Sequence, residues 1–283
     1  AALVSVEPAT GAVRTMVGGP GFDNYQYNLA TENPRGVGSS MKTFVLATIM
    51  EQGYSPDDII NGIAPCNFAD ENEEGGVYDV SNFADGGGSM GTITAATLAS
   101  SNCAFVRLGL IAGSQSVADM AHRLGVPTTR PAAEGQEPEE VVLPVKSLPL
   151  GVARITPLEM ASAYATIAND GVYNPPYLVD RIEDRNGHVI YQHTPTPEQR
   201  IAPETARLVT SILQQNVQSG TGTRARISGQ PAAGKTGTNQ NSTDAWFVGY
   251  TPALSTAVWL GGLGHEYQIR IAGGAPITGG QYP

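Results

Sequence analysis

Only two of the 283 residues are cysteine and only four are histidine. Cys66 and Cys103 are too few for a disulfide-built scaffold, and no Cys-x-x-Cys or histidine spacing suits a metal, so neither a metal nor another cofactor is expected. Paired, the cysteines would close a loop of about 37 residues and stabilise the fold by roughly 4 kcal/mol; unpaired, they would be small buried thiols. Composition leaves both open. His122, His188, His193 and His265 receive no functional assignment, and His188 and His193 fall on a presumed hairpin surface. Basic residues are also scarce: 16 Lys and Arg stand against 26 Asp and Glu, for a net charge of -10. They form no cluster. A phosphate backbone or an anionic bilayer needs a basic face, so nucleic acid and membrane-surface partners are excluded.

Long apolar runs are missing as well. Nothing approaches the roughly 18 residues that span a bilayer, and no basic-then-apolar leader precedes Ala1. Because the chain opens directly on strand-like sequence, an upstream segment, anchors included, is expected to have been removed, and the missing leader says little about compartment. What remains is ample for a core, with 41% hydrophobic and 15% charged residues.

"AALVSVEPATGAVRTMVGG" reads as strand, turn, strand around "PATG". "SSMKTFVLATIMEQG" is helical, with Ser39 at or near its start and Gly53 as its stop. From Pro56 to about Gly91 the Asp, Asn and Gly content predicts long surface loops. Helices follow at "TITAATLASS", "SVADMAHRLG" and "TPLEMASAYATIAND", the last with Pro157 in its first turn. The acidic "TTRPAAEGQEPEE" predicts a solvated loop. "YLVDRIEDRNGHVIYQH" predicts a hairpin turning at Asn186 and Gly187. A long helix, "PETARLVTSILQQNVQSG", precedes a turn, "GTGTRA", and the last third is strand-rich. With strands at both chain ends and helices between, the expectation is one α+β domain in which the terminal strands share an antiparallel sheet and the helices form a second lobe.

Three short pieces carry nucleophile chemistry. Ser39 and Lys42 are three apart, one turn on the same helix face, where a partly desolvated amine can act as base for a hydroxyl and the helix N-terminus can stabilise an oxyanion. Alone, the pair is also what a capping serine and a snorkelling lysine give. In "ASSNCAF", Ser100 and Asn102 can project a hydroxyl and a carboxamide into one cleft; by itself this is a helix C-terminal turn. In "AGKTGTNQN", Lys235 and Gly237 alternate along a strand with Thr236 and Thr238, and such an edge suits an extended peptide ending in a carboxylate.

Together, in the order Ser-x-x-Lys, Ser-x-Asn, Lys-Thr-Gly, these pieces are the signature shared by penicillin-binding proteins and serine β-lactamases. With "GTGTRA", "TPLEMASAYATIANDG" and "DAWFVGYTP", essentially the whole chain resembles the transpeptidase domain of bifunctional, class A penicillin-binding proteins. The resemblance implies a β-lactamase/transpeptidase-like fold, a five-stranded sheet lobe against a mainly helical lobe over residues 1–283. In the family it follows a membrane anchor and a glycosyltransferase domain, and the sheet is commonly covered by a helix beyond the point where this sequence ends. It implies a monomeric domain on the extracytoplasmic side of a bacterial membrane, acting on peptidoglycan stem peptides and inhibited by β-lactams. By motif, Ser39 is the nucleophile, Lys42 its base, and Ser100, with Lys235, the proton donor to the leaving D-Ala. Asn102 binds the donor amide, and Lys235, Thr236, Gly237 and Thr238 line the carboxylate site. The N–H groups of Ser39 and Thr238 form the oxyanion hole.

Val37, Met41 and Thr43 depart from the family pattern, which bears on packing of the nucleophile helix. Cys103 beside Asn102 is unusual too, readable as a disulfide partner of Cys66, a reactive thiol or a small buried residue. Trp246 and Phe247 are expected in the core before the cleft. A β-lactamase needs a glutamate to activate water, in class A enzymes within a Glu-x-x-x-Asn loop; none is found, since Glu159 belongs to a helix start. A β-lactam sensor lacks its signalling segment here, while a D,D-carboxypeptidase remains an alternative.

Overall fold

The opening sequence folds as the expected hairpin, β1 (Ala2–Val6) against β2 (Val13–Val17), in a computed structural model that describes residues 1–73, 75–131, 137–239, 242–263, 267–270 and 274–283. Gly53 ends the first helix with φ +91°, a conformation that costs glycine little. The helices are α1 (Lys42–Glu51), α2 (Ile93–Leu98), α3 (Asn102–Ala112), α4 (Ser114–Leu124), α5 (Pro157–Ala168) and α6 (Pro203–Ser219). Strands β3 (Ala233–Thr238), β4 (Asp244–Tyr250) and β5 (Ser255–Gly261) follow. β1 pairs antiparallel with β5, so the two chain ends close one five-stranded sheet of order β3-β4-β5-β1-β2. This is the expected α+β architecture.

The helices sit where their sequences place them. α1 is buried along its length except for Glu51, so it has no solvent stripe and serves as the central rod. α5 opens with a capping box between Thr156 and Glu159 and with proline in its first turn. Arg130 also pairs with Glu159, so that carboxylate is committed to helix and loop structure. One apolar core joins Val4, Trp246 and Trp259 of the sheet to Phe44, Leu46 and Ile49 of α1, Tyr164 of α5 and Leu213 of α6. Trp246 is fully buried, as expected, and donates from Nε1 to the Gly36 carbonyl at 2.9 Å.

Three expectations need amending. The stretch from Pro56 to Gly91 is surface-lying but not all loop: Ile59–Asn61 pairs with Met90–Thr92, and Cys66–Ala69 pairs with Val77–Val80. Alternating apolar residues in "CNFA" and "VYDV" supply those pairs within the polar text. Ser100 to Asn102 is not only a C-terminal turn, because α3 begins at once, with Ser101 as its cap accepting from the Ala104 N–H. The acidic loop carries a short pair, Thr129–Arg130 with Glu139–Glu140, and its residues 132–136 lie outside the described residues. The hairpin at Asn186 and Gly187 forms as expected. His188 is exposed there, whereas His193 stacks on Tyr177 with ring centroids 3.6 Å apart. His265 lies outside the described residues.

Cys66 and Cys103 form a disulfide across 37 positions and pack with Val80 and Val106 in a small satellite core, which resolves the three readings of Cys103. Among the described residues no helix is long and apolar enough to cross a membrane.

Candidate active site

Ser39 lies on a single 3-10 turn, Gly38–Met41, that feeds α1, and Lys42 is the first residue of that helix. The turn is pressed onto the sheet. A Cβ on Gly38 (φ +53°) would come within 2.5 Å of the Thr238 carbonyl oxygen, and one on Gly151 (φ +83°) within 2.0 Å of the Gly38 oxygen. From below, buried Tyr164 donates to the Ser40 carbonyl at 2.8 Å, and its hydroxyl is 2.6 Å from that of Thr43. Thr43, one of the departures from the family pattern, thus ties α1 to α5. Val37 and Met41 are fully buried, consistent with a packing role.

Lys42 is buried and its Nζ lies 3.0 Å from Ser39 Oγ, 2.7 Å from the Ser100 carbonyl, 2.7 Å from Asn102 Oδ1 and 3.3 Å from Ser100 Oγ. The Asn102 amide is oriented by its other end, because Nδ2 donates to the Ser81 carbonyl at 2.9 Å. A carbonyl and an amide oxygen can only accept. A neutral Lys42 has two N–H bonds, one for each of those oxygens, which leaves its lone pair for the Ser39 hydroxyl.

Ser100 takes φ +52° between α2 and α3, a left-handed conformation that costs a serine about 1–2 kcal/mol and that marks functional sites. Its Oγ accepts from Lys235 Nζ at 2.9 Å. The start of α3 is held from outside: Asn82 Oδ1 accepts from the N–H groups of Asn102 at 2.8 Å and Cys103 at 3.2 Å, while its Nδ2 donates to the Gly62 carbonyl at 2.9 Å.

β3 is the sheet's edge strand. Gly237 is required there, since a Cβ would lie 2.3 Å from the Val37 oxygen. The hydroxyls of Thr236 and Thr238 share the strand's other face. Thr238 Oγ1 accepts from the Gly279 N–H at 3.0 Å, and Thr236 Oγ1 lies 2.9 Å from Thr221 Oγ1. All eight residues expected at the site therefore converge.

Burial pushes Lys42 well below the ordinary lysine range, and the neighbouring Lys235 charge pushes it further. Burial alone brings Lys235 down to about 7. Two cavities meet at Ser39, Asn102 and Thr238. One, of about 850 Å³, is walled by Tyr78 to Ser81 and by Asn239. The other, of about 250 Å³, is walled by Ser100, Thr221, Thr236, Thr278 and Gln281. Among the described residues no group of three or more His, Cys, Asp or Glu could hold a metal ion.

Some functional neighbours escaped the sequence reading. Asn82 sits in the Asp-, Asn- and Gly-rich stretch with no local signal of its own. Thr221 lies in the "GTGT" turn, and Asn216 is a polar residue that is fully buried near the end of α6, a pattern that flags a tertiary hydrogen bond.

The profile of the penicillin-binding-protein transpeptidase domain matches residues 1–269. Penicillin-binding protein 1A of Mycobacterium tuberculosis is 35% identical over 305 aligned positions, which cover 100% of this chain and 34% of that protein. Its namesake in Neisseria lactamica is 34% identical over 267 positions, covering 92% of this chain and 32% of the relative. The structure of PonA1 from Mycobacterium tuberculosis in complex with penicillin V aligns with a TM-score of 0.85 at 32% identity, covering 99% of this chain and 73% of that one. Penicillin-binding protein 1A from Haemophilus influenzae aligns with a TM-score of 0.81 at 25% identity, covering 92% and 42%. This chain spans about a third of the length of the curated relatives it matches. With the profile match running from residue 1 to 269 and the transpeptidase architecture around Ser39, this chain belongs to the penicillin-binding-protein transpeptidase domain family of acyl transferases.

Proposed function

We propose that residues 1–283 form one two-lobed D,D-transpeptidase domain, which acts outside the membrane to cross-link peptidoglycan stem peptides through an acyl-Ser39 intermediate. The observation that carries this reading is the setting of Lys42. Its two obligate acceptors leave a neutral amine's lone pair facing Ser39 Oγ at 3.0 Å. Ser39 Oγ attacks the penultimate D-Ala carbonyl while its proton passes to Lys42. The C–N bond to the terminal D-Ala then breaks as Ser100, supported by Lys235, gives a proton to the departing amine. Ser100 takes in its place the proton that Lys42 received from Ser39, the Lys42 Nζ lying 3.3 Å from Ser100 Oγ, so that Lys42 is neutral again. Asn102 holds the donor amide, and the N–H groups of Ser39 and Thr238 receive the oxyanion. Lys235, Thr236 and Thr238 hold the terminal carboxylate, with Gly237 letting the turn that carries Ser39 approach. A stem-peptide amine next attacks the ester, its proton returning through Lys42 to Ser39. A β-lactam enters the same path but keeps its leaving group tethered. The commitment of Glu159 to a capping box and to Arg130 supports slow hydrolysis of that adduct.

Incubation with a penicillin followed by intact-mass analysis should show one covalent adduct that persists well beyond mixing and maps to Ser39. An adduct at another residue, or rapid turnover to penicilloate, overturns the reading.

The two lysines set the pH profile. Attack needs Lys42 neutral and the carboxylate site needs Lys235 charged, so acylation at low β-lactam concentration should fall above about pH 7, as free Lys235 loses its proton. In K235M the charge that depresses Lys42 is gone, so the Lys42 pKa rises and the acid limb of the profile moves to higher pH. A limb that stays in place means another group is the base.

A further inference from the structure

The carboxylate site contains a hydroxyl chain that the motifs do not include. Asn216 is fully buried at the end of α6; its Nδ2 donates to the Gly234 carbonyl at 2.8 Å, one residue before Lys235. Its Oδ1 accepts from the Thr221 N–H at 3.2 Å and from the Thr221 hydroxyl at 3.3 Å. Thr221 Oγ1 in turn lies 2.9 Å from Thr236 Oγ1, and Thr221, Thr236 and Thr238 line the same small cavity beside Ser39.

Counting protons along this chain gives it a direction. If Thr221 donates to Asn216, then Thr236 must donate to Thr221, and the Thr236 proton points away from the cleft. A carboxylate only accepts, so it favours the opposite order, with Thr221 donating to Thr236 and Thr236 donating into the cavity. The reversal strands no buried group, because Asn216 Oδ1 keeps the Thr221 N–H. Thr238 needs no such change: the Gly279 N–H already fills one of its acceptor positions, which leaves its proton for the ligand.

We propose that Thr221 is a positioning residue for the donor carboxylate, its hydroxyl turning to supply a hydrogen bond that aims the Thr236 proton at the anion, with Asn216 fixing Thr221 in place. This rests on the transpeptidase reading above and deepens it. Thr221 acts through Thr236, so its effect should appear only with ligands that carry the anion.

The test compares Ser39 acylation by a penicillin and by its methyl ester in the unsubstituted chain, T221V and T221S. In T221V, isosteric but without the hydroxyl, the second-order acylation rate for the acid should fall about tenfold, the size expected for one hydrogen bond to a charged group. The ester's own, slower rate should change by less than about twofold, since it presents no anion. T221S keeps a hydroxyl and should restore the acid rate. An equal fall for acid and ester in T221V shows that Thr221 only supports the fold and overturns the proposal, as does an unchanged acid rate. If neither compound acylates Ser39 in the unsubstituted chain, the transpeptidase reading fails first and the proposal with it. Thermal melts of the variants separate lost folding from lost anion recognition.

Discussion

Replacing Lys42 with methionine should lower the rate of Ser39 acylation by a penicillin about a thousandfold, within the range attributed to a positioned general base. Methionine nearly matches the stem's volume, so the fully buried site stays filled. What disappears is the lone pair facing Ser39 Oγ and the two donors that satisfy the Ser100 carbonyl and Asn102 Oδ1. A serine hydroxyl at neutral pH, without a base, is a poor nucleophile. The loss should be in the acylation step and should not be recovered by raising the pH to 9, because the neighbouring amine that loses its proton near pH 7, Lys235, is bonded to Ser100 Oγ and is needed charged at the carboxylate site. Stopped-flow acylation with a fluorescent penicillin, alongside the melting temperature, reads both. A K42M chain that acylates within tenfold of the unsubstituted one removes Lys42 from the mechanism. The structure also says why arginine could not substitute: a guanidinium carries no lone pair at any working pH.

The sequence carried the eight motif residues because each motif is local. Ser39 and Lys42 are one helical turn apart, Ser100 and Asn102 flank a cap, and Lys235 to Thr238 occupy one strand. Their types and order survive without any knowledge of the fold. The sheet was legible for a similar reason, since alternation at both chain ends needed only the antiparallel partner, and β1 and β5 supply each other's. Illegible were the residues whose roles depend on distant contact. Asn82 serves α3 from 20 positions away, and Asn216 reaches Gly234 across 18. No periodicity marks either one. α3 lies outside the helices expected from the sequence, although "NCAFVRLGLIAG", which starts at the Asn of the Ser-x-Asn motif, holds a complete apolar helix with a glycine stop. The pairing of Cys66 with Cys103 was undecidable for a related reason. Two cysteines admit one connectivity, but whether they meet depends on the short Cys66–Ala69 strand folding back over α3, which the surrounding polar text concealed.

That disulfide carries the second large effect. Replacing both cysteines with alanine should destabilise the chain by about 4 kcal/mol, the chain-entropy value for a loop of roughly this length, with a further loss from the satellite core they share with Val80 and Val106. The penalty should fall on stability more than on chemistry. The Cys66–Ala69 and Val77–Val80 hairpin leads into Ser81 and Asn82, and these hold α3 and Asn102 by four hydrogen bonds of their own: Asn102 N–H and Cys103 N–H to Asn82, Asn102 Nδ2 to Ser81, and Ser101 Oγ to Asn82 at 3.2 Å. None of them requires sulfur. Urea unfolding should therefore shift to a markedly lower midpoint, while penicillin acylation measured far below that midpoint stays within about fivefold, the equivalent of roughly 1 kcal/mol at the Asn102 end of the cleft. If acylation instead collapses while the midpoint barely moves, the disulfide, and not the Asn82 hydrogen bonds, holds the Ser-x-Asn motif in place.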